Sequence, residues 1–263
     1  MLGPRSAVWQ PVATAGCIVA PLAALSALEL GVWVQRGHEA ESFVLLALSV
    51  VSLAMLFLTA TTNPGVAVHG PEPAAGAARL RTRVSVKVAG HIRWLKYCPT
   101  CRIYRVPRMS HCAVCDNCVA GFDHHCPWVG TCIGERNYPL FLCFVFSTAA
   151  MSIWTQVLCV LIIVNAGKET GSAADALNTH MAAVIVGGYT FLFSFFVVGL
   201  ACWHCTLIAR GLTTYLSFKD RKELLPVVDY RGVAGKADGN SVAGDPAPCG
   251  TLCSEFARTV RTE

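Results

Sequence analysis

The sequence predicts an α-helical polytopic membrane protein: four transmembrane helices, with a cytosolic cysteine-rich domain set between helices 2 and 3. Three observations carry this. Hydrophobic residues make up 54% of the 263 and charged ones only 14%, too apolar a balance for one soluble core. Four apolar stretches, residues 12–34, 43–62, 139–164 and 181–209, each reach the roughly 20 residues that span a bilayer as a helix. Between the second and third lies a segment of a different kind, with seven cysteines and three histidines from Cys98 to Cys132.

The stretches are too long for strands, and an open sheet leaves backbone groups unpaired in lipid. The first exceeds a secretory h-region, so it is read as a retained helix. Lys and Arg set the orientation: residues 63–138 hold ten and residues 210–263 hold eight, whereas residues 35–42 and 166–180 hold only Arg36 and Lys168. The cysteine-rich segment and both termini therefore face the cytosol. The net charge of +5 belongs mainly to that face, beside anionic lipid, and points away from nucleic acid. In a reducing compartment dense cysteines suit metal better than disulfides.

The chain divides into residues 1–62 (N-terminus and two helices), 63–138 (cysteine-rich domain), 139–209 (two helices) and 210–263 (a cytosolic tail). Asn63-Pro64-Gly65 ends the second helix. Residues 71–78 read as a linker and residues 79–87 as a short strand near the headgroups. Residues 218–225 read as an amphipathic interfacial helix and residues 231–248 as disordered.

Tetrahedral zinc takes four Cys or His ligands, paired two to four residues apart. Cys98-x2-Cys101, Cys112-x2-Cys115 and Cys115-x2-Cys118 fit. The ten donors between Cys98 and Cys132 fill two such sites and leave two over, so a thiol and an imidazole remain for chemistry in Asp123-His124-His125-Cys126.

The pattern Cys98-x2-Cys101-x9-His111-Cys112-x2-Cys115-x2-Cys118-x4-Asp123-His124-His125-Cys126-x5-Cys132-x4-Asn137-x3-Phe141 resembles the cysteine-rich domain of the DHHC protein S-acyltransferases. The flanks Arg105-Val106-Pro107-Arg108 and Pro127-Trp128, and the four-helix frame, agree with it. The resemblance implies two structural zinc ions, one on Cys98, Cys101, His111 and Cys118, the other on Cys112, Cys115, His125 and Cys132. It implies a two-step transfer of a long-chain acyl group, palmitoyl above all, from acyl-CoA to Cys126 and then to cysteines of membrane-associated proteins. His124 would activate the thiol and Asp123 orient the imidazole. Arg105 and Arg108 match positions that contact CoA, or else they balance the zinc thiolates together with Lys96 and Arg102. Trp128 would lie beside the acyl chain at headgroup depth, or serve only as an interfacial anchor. The localisation expected is Golgi or ER, with the plasma membrane as the alternative.

The acyl chain needs an apolar cavity among the helices. Gly187, Gly188 and Gly199 either open it or mark close helix contacts, the commoner role of small residues. Glu29 reads as a side chain that snorkels or bonds across helices, His204 as an interhelical partner, and Cys17, Cys143, Cys159, Cys202 and Cys205 as small apolar side chains; Cys249 and Cys253 are candidates for acylation themselves. Two departures from the family pattern stand out. Asn63 replaces an Asp, and Leu216 of Thr213-Thr214-Tyr215-Leu216 replaces an acid. The family's C-terminal packing motif is not recognisable. The rival reading is a catalytically idle zinc-binding membrane scaffold; a membrane cysteine protease lacks a supporting Asn/His set.

Overall fold

The structure, a computed structural model, describes residues 9–72, 82–88 and 91–218, all within one compact unit. All but Phe218 of the expected interfacial helix at 218–225, the disordered stretch, most of the linker, and Cys249 and Cys253 lie outside the described residues. Four helices are long and apolar enough to cross a membrane: α1 (Trp9–Gln35), α2 (Glu39–Thr61), α3 (Tyr138–Thr170) and α5 (Met181–Ala209). Their outer faces carry large apolar side chains such as Phe43, Leu46, Ile185, Leu192 and Phe195 in the open. That is what a lipid-facing surface requires and what water would punish. The third helix runs past its apolar stretch to Thr170, where Gly171 takes the left-handed conformation (φ 67°) that closes it. A short helix, α4 (Ala173–Thr179), then fills what the sequence reads as a loop; the Ser172 hydroxyl caps it by accepting from the Asp175 N–H.

Polar side chains stitch the helices together. Ser52 meets Thr148 at 2.6 Å and the Tyr138 hydroxyl meets His204 Nδ1 at 3.1 Å. Buried Glu29 pairs with His180 at 2.6 Å, and Arg36 with Glu169 at 2.8 Å. Glu29 and His204 thus act between helices, as their positions suggest. Gly187 faces Cys159 closely enough that a Cβ would come within 3.2 Å, whereas nothing lies within 4 Å of Gly188 or Gly199. The first marks a close helix contact, and none of the three lines the cavity described below. Their missing side chains leave room only where they face the cavity, and they do not.

Strands β1 (Arg83–Val88), β2 (His91–Cys98) and β3 (Ile103–Arg105) form one antiparallel sheet. Of the strand expected at residues 79–87, the described part is β1, which pairs from Arg83 opposite Lys96; residues 79–81 lie outside the described residues. Two short strand pairs complete the domain: β4 (Ser110–Cys112) with β5 (Asn117–Val119), and β6 (His124–Cys126) with β7 (Thr131–Ile133). A five-residue helix, α6 (Thr214–Phe218), follows α5.

The exit from α2 zips onto this domain. Asn63 Oδ1 accepts from the N–H groups of Gly65 and Val66, both at 2.9 Å, the Asx-turn that an aspartate there would also make. Gly65 (φ 105°) then accepts from Ala120, Ala67 donates to Cys118, and Gly70 donates to Cys101. Asn137, fully buried, binds three partners: Oδ1 accepts from the Gly134 N–H, and Nδ2 donates to the carbonyls of Thr59 and Cys132. One side chain joins the end of α2, the end of β7 and the start of α3.

Candidate active site

Two CxxC turns organise the metal donors. Cys98 and Cys101 bracket one, Cys112 and Cys115 the other, and the residue after each, Arg102 (φ 56°) and Asp116 (φ 53°), takes the left-handed conformation that closes the turn. The donors gather into two groups, Cys98, Cys101, His111 and Cys118, and Cys112, Cys115, His125 and Cys132, with ligand atoms within 4.8 Å of one another. A tetrahedron with bonds of about 2.3 Å to sulfur and about 2.0 Å to nitrogen has sulfur-to-nitrogen edges of about 3.5 Å. His111 Nδ1 stands 3.6, 3.4 and 3.9 Å from the sulfurs of Cys98, Cys101 and Cys118. His125 Nδ1 lies 3.3 Å from Cys115 and 3.7 Å from Cys132. Burial, and then the neighbouring thiols, push Cys118 and Cys132 well above the ordinary thiol range, a crowding that a central dication relieves. The donor set therefore fits zinc. His111 Nε2 stands 3.6 Å from Asp116, an outer partner that steadies the ring and that spacing did not flag.

Strand β6 sorts the remaining residues. Side chains alternate along a strand, so His124 and Cys126 share one face and His125 takes the other. His125 pairs across with Cys132, another donor, which puts both ligands on the metal side. Burial, then the charge of His124, lowers the His125 pKa and favours the neutral ring that binds metal.

On the opposite face Asp123, 1% exposed, holds His124 Nδ1 at 2.7 Å. The Thr214 N–H donates to Asp123 Oδ1 at 2.8 Å, and the Tyr215 N–H to its backbone carbonyl at 3.0 Å. Burial works to raise the Asp123 pKa, but these bonds outweigh it and lower it. For His124 burial works downward, yet the bond to Asp123 and then that to Cys126 raise it to about 9. The ring is thus oriented by the carboxylate and turned to the thiol. Phe141 packs edge-on between His124 and His204, with ring centroids 5.3 and 5.2 Å apart.

The loop with Leu216 in place of an acid is held without one. Backbone N–H groups grip Asp123, and Thr213 Oγ1 accepts from the Leu216 N–H at 3.3 Å. Arg108 donates to the Gly211 carbonyl at 3.2 Å and so ties the metal domain to the end of α5. Arg105 keeps a buried Nε without a partner among the described residues. Arg102 pairs with Glu72 at 3.2 Å. Trp128 is 42% exposed beside Phe196, and its carbonyl accepts from Thr14 of α1 at 2.6 Å. Neither that bond nor the Asn137 junction could be read from residue types, since both depend on which helix ends meet.

Below Cys126 an elongated apolar cavity descends between α1, α3 and α5. Its wall on α3 runs from Phe141 to Thr155, about 21 Å at 1.5 Å per residue. Cys126 itself is buried in the same apolar cluster as the helix residues Phe141, Phe144 and Val145.

Four membrane-length helices, two Cys3His donor groups and a carboxylate-imidazole-thiol row at the head of an apolar cavity define the class: a polytopic membrane protein with a cysteine-rich domain between its second and third spans. The chain belongs to the DHHC palmitoyltransferase family, whose model matches residues 92–221. It is similar to probable protein S-acyltransferases 6 and 7 of Arabidopsis thaliana, 39% and 40% identical, with 68% of this chain covered in each case and 47% and 44% of those proteins. It is 40% identical to the palmitoyltransferase ZDHHC18 of Rattus norvegicus over 58% of this chain and 37% of that protein. The chain spans about half the length of the curated relatives it matches, or less.

Proposed function

We propose that the chain is a protein S-acyltransferase that takes a long-chain acyl group, palmitoyl above all, from acyl-CoA and delivers it to cysteine thiols of membrane-associated proteins. One observation carries this reading: His124 and Cys126 share a strand face beside Asp123, with the thiol at the head of a long apolar cavity. Two zinc ions, on the donor sets given above, would lock the hairpins that hold this face.

The steps follow from those residues. The Cys126 thiolate attacks the thioester carbonyl of acyl-CoA. The tetrahedral adduct collapses, the carbon–sulfur bond to CoA breaks, and CoA leaves as a thiol with the proton that His124 took from Cys126. A client cysteine then gives its proton to His124, attacks acyl-Cys126, and departs with the acyl chain as Cys126 regains its proton. Asp123 keeps the ring turned to the thiol and balances the imidazolium. The buried Nε of Arg105 and the adjacent Arg108 support a contact with the phosphates of CoA, and Trp128 flanks the chain where it enters the cavity. The lysine and arginine distribution supports a cytosolic site.

The test is full-length purified protein in lipid, incubated with labelled palmitoyl-CoA. Hydroxylamine-sensitive label on Cys126, lost in Cys126→Ser with two zinc ions retained, is the expected result. Label that persists at full level in Cys126→Ser sinks the reading. Two bound zincs with no label on any cysteine favour an idle scaffold instead.

A further inference from the structure

Pro21 sits in the middle of α1. Proline has no N–H, so the carbonyl four residues earlier, that of Cys17, loses its helical donor, and no water in a bilayer replaces it. Tyr189 of α5 answers it: the hydroxyl donates to the Cys17 carbonyl at 3.1 Å. This bond crosses the seam between α1 and α5, and Cys17, Pro21 and Tyr189 all line the cavity that ends at Cys126.

The seam is also where the cavity wall is thin. On α3 the lining residues Phe141, Val145 and Thr155 are 1–2% exposed. Across the cavity Cys17, Phe193 and Phe196 line it and are exposed at the same time, on the surface that lipid covers. Residues that face both a cavity and the outside mark its mouth. The helix bordering this mouth has the means to bend. Pro21 interrupts its hydrogen-bond ladder, a π-helical turn at Ser26–Leu30 follows, and its packing on α5 and α2 is sparse beside that of α3 on its neighbours. Above and below, Thr14 on the Trp128 carbonyl and Glu29 on His180 hold α1 in place.

We propose that the α1–α5 seam is a lateral portal through which a long acyl chain passes between the bilayer and the cavity, with the Tyr189–Cys17 carbonyl bond as its latch. The proposal rests on the acyltransferase reading. A donor whose tail is already dissolved in the membrane then reaches Cys126 without drawing that tail through water, whereas a short acyl group has no use for the portal.

The experiment compares single-turnover loading of Cys126 by palmitoyl-CoA and by butyryl-CoA, with full-length protein in lipid nanodiscs; the readout is the ratio of the two rates. Tyr189→Phe keeps the ring and drops the latch, and should raise the palmitoyl-to-butyryl ratio by roughly two- to tenfold, the span of one hydrogen bond's net worth. Cys17→Trp puts bulk into the mouth and should lower the ratio. Pro21→Ala returns a helical N–H to the Cys17 carbonyl, so in that background Tyr189→Phe should no longer move the ratio. A ratio that neither Tyr189→Phe nor Cys17→Trp moves, with both donors still loading, overturns the portal alone. Loading of neither donor by the unchanged protein overturns the acyltransferase reading and the portal with it.

Discussion

The two metal sites are made from the same parts, three thiols and one imidazole on CxxC turns of like geometry, and they differ in what lies behind the histidine. In the first, His111 leans on Asp116 at 3.6 Å, near the surface. In the second, His125 stands between His124 and Cys126 on a three-residue strand whose other face holds the Asp123–His124 pair. The first site is a staple. The second is a staple through the proposed reaction centre, because anything that frees His125 also frees the strand that presents the thiol.

Variants should break this symmetry to unequal degrees. The largest effect is expected for His125→Ala, which should lose one zinc and bring Cys126 acylation to background even in protein that stays soluble in detergent. Zinc content and acyl-enzyme formation measured on one sample check this: both zincs retained in His125→Ala, with one lost in His124→Ala, would reverse the roles given to the two histidines, and one zinc lost with labelling near normal would uncouple this donor group from the thiol. Next comes His124→Ala. It should keep both zincs and slow acyl-enzyme formation by roughly 10²–10⁴-fold, the usual cost of losing a general base. Cys98→Ser should lose the first metal and destabilise the domain, since metal binding supplies much of its folding free energy. Any protein that keeps the second zinc should still label Cys126, so the labelling rate per bound zinc in the folded fraction distinguishes the two sites. The smallest effect is that of Leu216→Glu, which should preserve or modestly raise activity, because backbone N–H groups already hold Asp123. A clear loss of labelling at normal expression would count against aligning Leu216 with the missing acid.

What the sequence disclosed and withheld divides along the same line. The four helices were legible because lipid demands long apolar runs, and the donors because metal demands Cys and His at short intervals. Which donors share a site was not a matter of spacing, since two residues separate Cys115 from Cys112 and from Cys118 alike; the resemblance supplied that pairing, and the grouping of the ligand atoms agrees with it. The supports of the site were illegible for a different reason. Asn137 and Thr14 act on backbone carbonyls, and the donor to the Asp123 carboxylate is the backbone N–H of Thr214; a backbone group looks the same at every position of a sequence.

The alternation along β6 has a further consequence for how this site can fail. Cys126 carries the same functional group as the six cysteines of the two donor groups, and it stands one residue from His125, a donor of the second. Only the direction in which its side chain points keeps it out of a coordination sphere. A slip of the β6–β7 register by one residue would exchange the faces and offer the reactive sulfur to the metal, where a coordinated thiolate is a poor nucleophile. Insertion or deletion of a single residue between Asp123 and Cys132 should therefore poison the centre while leaving its full complement of sulfur intact, and metal content alone would not reveal the damage.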